Sequence, residues 1–156
     1  ERSRPPALRD HHRRPKMILY LDTSALVKLY VAELGSDDVK AKVEAAPVIA
    51  VSRVAYVEAR AGLARKFREG EISREEYRRV VKDLDRDWGN YFIVEVSESV
   101  AKLGGQLTDK HPLRGFDALH LASALFLKSR THEKISFFCF DERLKSAAEA
   151  EGLSVE

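Results

Sequence analysis

The chain has 156 residues, 44% of them apolar and 33% charged. That is one domain by size, with enough apolar content for a packed core, and no apolar stretch comes near the ~18 residues that a membrane span needs. Its one cysteine, Cys139, rules out an internal disulfide and thiolate zinc sites, and fits a reducing cytoplasm.

The charge is uneven. Residues 1–16 carry six Lys/Arg and two Asp/Glu, a net of +4 against +2 for the whole chain, so the remainder from Met17 is −2. This segment also holds three of the five prolines. It lacks the apolar stretch of a secretory signal. It reads as a basic disordered leader or appended extension, with Met17 as the native start and residues 17–156 as the domain.

In chain order, Ile18 to Leu21 is apolar and reads as a central strand. Thr23 to Val31 reads as a helix with Leu26, Leu29 and Tyr30 on one face. Gly35-Ser36-Asp37 marks a break and starts a helix that Pro47 stops. Val48 to Val51 is a second buried strand. Ser52 can cap a long helix through Phe67, closed by Gly70. Ser73-Arg74-Glu75-Glu76 matches a capping box for a helix ending near Gly89. Ile93 to Val96 is a third strand, and Ser97 to Lys110 a helix despite Gly104-Gly105. Gly115 to Ser129 is a strongly apolar helix, packed on both sides. Phe137 to Phe140 is a fourth strand, Asp141 to Ala150 a short helix, and Leu153 to Val155 an edge strand. Strands alternating with helices predict a parallel sheet covered on both faces.

Four acids stand beside apolar runs: Asp22, Glu58, Asp117 and Asp141. A buried acid is costly alone, and Asp22 and Asp141 fall where strands hand over to helices, the usual ligand edge of an open α/β sheet. Asp22, Asp117 and Glu58 also have bland explanations. Asp22 can be an N-cap, and Thr23 and Ser24 can cap the same helix or bond a water. Asp117 in a first helical turn suits the macrodipole. Glu58 lacks a partner at i±3 or i±4 on its own helix, which favours a long-range partner or a cation, although an exposed glutamate is the common case. His120, at i+3 from Asp117, reads first as a packed, hydrogen-bonded core histidine, and second as a residue orienting Asp117. His111 and His132 read as loop residues, and Asp109 and Glu142 as solvated acids, with Glu142 able to approach the same cleft. Lys28, Arg53, Arg114 and Arg143 lie near the acids and could meet phosphates. Arg65, Lys66 and Arg68 read as a solvated basic cluster. Taken together, the four carboxylates would repel one another unless a hard cation, Mg²⁺ or Mn²⁺, neutralised them. No Gly-rich phosphate loop and no Gly-x-Ser-x-Gly elbow is present.

These stretches resemble a PIN domain, and within that family a VapC-type toxin ribonuclease. The resemblance rests on Tyr20-Leu21-Asp22-Thr23-Ser24-Ala25-Leu26-Val27-Lys28-Leu29-Tyr30, on Glu58 in its helix, on Phe116-Asp117-Ala118-Leu119-His120-Leu121-Ala122, and on Phe140-Asp141-Glu142-Arg143-Leu144. It spans Met17 to Val155. It implies a three-layer α/β/α sandwich with a central parallel sheet. It makes Asp22, Glu58, Asp117 and Asp141 the family's four acidic positions, catalytic and metal-holding. It further implies endonucleolytic RNA cleavage leaving a 3′-hydroxyl, a homodimer, and a cognate antitoxin that blocks the cleft. Helices from Glu33 to Phe67 carry Leu34, Val39, Val43, Tyr56, Leu63 and Phe67, which could form an apolar surface for the antitoxin or simply belong to the core. Two other readings compete: a non-catalytic protein-binding module on the same fold, and a magnesium-dependent phosphatase, which wants an Asp where Ser24 stands. A receiver domain fits less well still, because it needs paired acids near the first strand.

Overall fold

The structure, a computed structural model, describes residues 16–156. The basic segment therefore lies, except for Lys16, outside the described residues. Five strands form one parallel sheet in the order β3-β2-β1-β4-β5. They are β1 (Met17–Leu21), β2 (Val48–Ser52), β3 (Phe92–Val94), β4 (Lys134–Phe138) and β5 (Ser154–Val155). Between β1 and β3 run α1 (Thr23–Tyr30), α2 (Ser36–Ala45), α3 (Val54–Arg68) and α4 (Arg74–Trp88). After β3 come α5 (Glu98–Lys110), α6 (Gly115–Arg130) and α7 (Glu142–Ala150).

Strand alternation divides the core in two. Leu19 and Leu21 of β1 pack with Ala25, Leu26, Ala55, Leu63 and Leu84 from the first helix group. Ile18 and Tyr20 point the other way, to Val100, Leu107, Leu121 and Leu144 from the second. The chain moves outward from β1 to β2 and β3 with helices on one face. It then returns to β4 and β5 with helices on the other. Right-handed crossovers require this change of face when the direction reverses. The reversal leaves a crevice between β1 and β4 at their carboxyl ends.

Two strands are shifted from the sequence expectation. β4 covers Lys134–Phe138 rather than 137–140, because its register against β1 runs from Met17↔Lys134 to Leu21↔Phe138 and β1 ends there. Cys139 and Phe140 thus continue past the sheet toward Asp141. β3 similarly stops at Val94, opposite Ser52, where β2 ends. Ser52 is strand rather than cap: the N-cap of α3 is Arg53, without a side-chain cap bond, and the Ser52 hydroxyl only accepts the Val54 N–H at 3.3 Å.

Ser73 does cap α4, accepting from the Glu76 N–H. The double glycine stays helical where Gly104 lies against the Ala118 backbone of α6, letting α5 and α6 approach closely. Of the apolar residues between Glu33 and Phe67, Val39 and Leu63 are core, while Val43, Tyr56 and Phe67 pack on it. Leu34 and Val57 are exposed.

Candidate active site

Asp22 follows β1 directly and is the N-cap of α1, its carboxylate accepting the Ala25 N–H at 2.9 Å and the Ser24 hydroxyl at 2.8 Å. Asp141 repeats the arrangement beyond β4: it caps α7 through the Leu144 N–H at 3.0 Å. Capping therefore holds for both acids, and Thr23 and Ser24 are not the caps. Asp117 sits in the first turn of α6, and Glu58 in the second turn of α3.

Asp22 is buried, Asp117 half-buried and Asp141 exposed. Burial raises the Asp22 carboxyl pKa against the lowering effect of the Ala25 N–H, and the Asp117 charge adds to the rise. Asp117 is raised by burial first and by the Asp141 charge second, with a further contribution from Glu58. Each acid thus feels the next across the crevice, the mutual penalty of like charges in a partly desolvated site. Among the described residues, none of Asp22, Asp117 or Asp141 is in an ion pair. Nor are any three His, Cys, Asp or Glu side chains among them gathered closely enough to form a ready-made metal nest.

Asp117 and Asp141 line one cleft of about 360 Å³ with Arg114, Glu142 and Arg143. Asp22 and Glu58 lie outside that lining. Of the four basic residues near the acids in sequence, two are otherwise engaged. Lys28 pairs with Glu33 and lies over the Phe140 ring, and Arg53 pairs with Glu95. Arg114 and Arg143 remain in the cleft. Both sit at helix N-termini, where the macrodipole disfavours a cation, so helix stability does not account for them. Arg65 and Lys66 pair with surface glutamates.

Glu58 has the long-range partners that its helix denies it. Its Oε1 accepts the Thr23 hydroxyl at 2.6 Å and faces His120 Nε2 at 2.9 Å. Burial alone would raise the Glu58 pKa, but the bonds from His120 and Thr23 outweigh it and hold the carboxyl below its usual range. His120 is the packed histidine expected, and its partner is Glu58 rather than Asp117. On its far side Nδ1 meets the Tyr20 hydroxyl at 2.9 Å. Sequence reasoning missed Tyr20 and the contact of Thr23 with Glu58. The available signals were a lone hydroxyl in an aliphatic strand and a histidine in an apolar helix.

Comparisons with known proteins agree with this fold. The PIN domain profile matches residues 19–150. Ribonuclease VapC49 of Mycobacterium tuberculosis is 35% identical over 142 residues, covering 88% of this chain and 94% of that protein. Ribonuclease VapC46 of the same organism is 33% identical over 138 residues, covering 88% and 95%. Among solved structures, FitAcB from Neisseria gonorrhoeae superposes with a TM-score of 0.63 at 16% identity, covering 88% of this chain and 95% of that one. VapC20 of Mycobacterium tuberculosis, described as a sarcin–ricin loop cleaving toxin, gives 0.61 at 16% identity, with 83% and 94% covered. At such identity these two structures speak for the fold. With the profile spanning most of the chain and two relatives above 30% identity over nearly their whole length, the chain belongs to the PIN domain family.

Proposed function

We propose that this protein is a divalent-metal-dependent endoribonuclease, the toxin of a toxin–antitoxin pair, cutting RNA at the crevice edge that carries Asp22, Asp117 and Asp141. One observation carries the reading. Asp22 and Asp117 are partly or wholly desolvated, raised in pKa by burial and by neighbouring acids, and without an ion-pair partner among the described residues. Such an arrangement costs stability unless a cation answers it.

The donor chemistry fits. The acids offer carboxylate oxygens only, which suits Mg²⁺ or Mn²⁺ rather than a soft metal. Asp22, Asp117, Asp141 and Glu58 would hold the ion. Because no three of them are gathered in advance, holding it includes some rearrangement of side chains. When bound, such an ion supplies Lewis-acid activation of water and neutralises charge on the phosphate. The chain's own part is to position. Asp22 is fixed by its capping bonds, and Glu58 by Thr23 and His120. Arg114 and Arg143 draw a phosphodiester into the cleft beside Asp117 and Asp141.

RNA as substrate is supported by family membership and by the named relatives, which are ribonucleases. A cognate antitoxin is suggested by fold neighbours solved as toxin–antitoxin complexes, including one from Klebsiella pneumoniae. Leu34 and Val57, exposed on the α1–α2 loop and on α3, belong to the surface that would receive it. A homodimer is part of the same reading. No helix among the described residues is long and apolar enough to cross a membrane. With its buried free cysteine, the protein suits a reducing cytoplasm.

The test is RNA cleavage by the purified protein with Mg²⁺, Mn²⁺ or EDTA, beside Asp22→Asn. Metal-dependent cutting that the variant loses supports the assignment. Equal cutting by the variant, or no cutting with either metal, overturns it.

A further inference from the structure

We propose that His120, braced by Tyr20, is a positioning residue that sets the Glu58 carboxylate before any ligand arrives. The inference rests on the nuclease reading above and extends it to residues outside the four acids.

The geometry is a chain of side chains from four elements. Tyr20 comes from β1, Thr23 from α1, Glu58 from α3 and His120 from α6. Tyr20 is fully buried, and its ring stacks on Phe137 at 5.4 Å with an interplanar angle of 5°. Its position is therefore fixed by the sheet. His120 is 2% exposed, so its two ring nitrogens must find partners inside the protein. With a neutral ring, one proton arrangement satisfies every contact. The Tyr20 hydroxyl donates to Nδ1, and the Nε2–H donates to Glu58 Oε1, with the Thr23 oxygen at 3.0 Å as a second acceptor. The Thr23 hydroxyl then donates to the same Oε1.

Both bonds thus fall on one oxygen of Glu58. The second oxygen, Oε2, has no hydrogen bond among the described residues. A glutamate normally has three side-chain torsions to order when it binds something, and that ordering is unfavourable. Here Oε1 is clamped from two directions in advance, so Oε2 is presented with little freedom left. This is the arrangement in which a buried imidazole orients an acid from behind, as outer partners do around metal-binding side chains. A purely structural histidine would need only the Tyr20 bond and one neutral acceptor. It would have no reason to meet one of the four acids at the crevice.

The experiment is a mutant cycle on the full chain. His120→Leu, His120→Gln and Tyr20→Phe are made in the parent and in Glu58→Gln. Each protein is assayed for RNA cleavage at saturating Mn²⁺, for Mn²⁺ affinity by titration calorimetry, and for melting temperature. In the parent, His120→Leu should lower kcat about tenfold or more with little change in KM. It should also weaken Mn²⁺ binding severalfold, toward the 10–100-fold range seen for lost outer partners. His120→Gln, which keeps an N–H donor, should recover part of both. Tyr20→Phe should show a smaller loss in the same direction. In Glu58→Gln the His120 variants should add less than about twofold, because their route to the site is already gone.

Equal proportional losses in both backgrounds would overturn the inference. So would a fall in melting temperature with kcat and Mn²⁺ affinity unmoved, since that is a structural role alone. If the parent neither cuts RNA nor binds Mn²⁺, the nuclease reading itself has failed, and the positioning role falls with it.

Discussion

The Asp22 backbone N–H donates to the Phe138 carbonyl at 3.2 Å, tying the end of β1 to the end of β4. One bond thereby brings together two chain turns more than a hundred residues apart in sequence. Asp22 caps the helix leaving the first turn, and Asp141 caps the helix leaving the second. Asp117 enters from the start of α6, and its pKa responds to the Asp141 charge, while that of Asp22 responds to Asp117. Asp22, Asp117 and Asp141 act on one another because the order of the strands reverses between β1 and β4.

Asp22→Asn separates stability from activity. The folded Asp22 pKa is raised, chiefly by burial. Its contribution to stability is therefore fully present below the ordinary aspartate pKa and is lost as pH rises through the raised folded value. Asparagine keeps the cap, being an equally good N-cap, and never ionises. In EDTA, the variant should gain on the parent as pH climbs from acid to neutral. A gain of about 1 kcal/mol would lift Tm by ~2–4 °C for a chain of this size. Activity should fall roughly a hundredfold or more. Melting curves against pH decide it: parallel curves for the two proteins would contradict the assignment.

Divalent metal should reverse the same penalty. Mg²⁺ or Mn²⁺ binding the folded chain stabilises it by mass action, about 2.7 kcal/mol at a hundred times Kd. Asp117 is raised in the same direction as Asp22, so the gain should grow as pH rises and the acids ionise. Asp22→Asn and Asp117→Asn should blunt it. A Tm unmoved by millimolar Mn²⁺ at any pH would argue against a cation site here.

The sequence disclosed the alternation of strands and helices because buried parallel strands are continuous apolar runs with sharp boundaries, as in Ile18 to Leu21 and Val48 to Val51. It misplaced β4 because Phe137-Phe138-Cys139-Phe140 is apolar throughout, while strand ends are set by pairing. Only the register with β1 shows that Cys139 and Phe140 have left the sheet. Asp22 was legible as a cap and Asp141 as a second acid at a strand end, since both signals are local. The partner of Glu58 was not. His120 is 62 residues away, on a helix across the sheet from α3, and nothing local indicates that the two side chains meet. Likewise, that Arg53 is consumed by Glu95 while Arg114 stays in the cleft is a property of the folded surface.

Gly35→Ala should be costly for two separable reasons. Gly35 has φ of +94°, and an added Cβ would lie 2.7 Å from the Phe140 ring. The backbone conformation alone costs roughly 1–2 kcal/mol for a residue with a side chain. The ring clash adds to that and pushes on the residue preceding Asp141, so activity should drop as well. In a Phe140→Ala background the clash is gone and only the backbone cost remains. Urea melts of the four proteins check this: an equal cost in both backgrounds would mean that Phe140 does not crowd Gly35.

Arg114 and Arg143 should separate binding from chemistry. Both line the cleft with Asp117 and Asp141, and both stand where a helix dipole disfavours them. Their removal should leave the fold intact or slightly firmer. Arg114→Gln and Arg143→Gln should weaken RNA binding several-fold each. Each should also reduce the slope of log K against log salt by about 0.7, the value for one phosphate contact on a single strand. Asp117→Asn should do the opposite, lowering the cleavage rate while RNA affinity holds or rises, because it removes a negative charge from the cleft. Fluorescence anisotropy on a labelled RNA across a salt series, beside single-turnover cleavage, measures both. Arginine variants that bind RNA with the parent's affinity and salt slope would move the phosphate path away from α6 and α7. An Asp117→Asn protein that cuts at the parent's rate would remove the acids from the chemistry and leave a cleft that only binds.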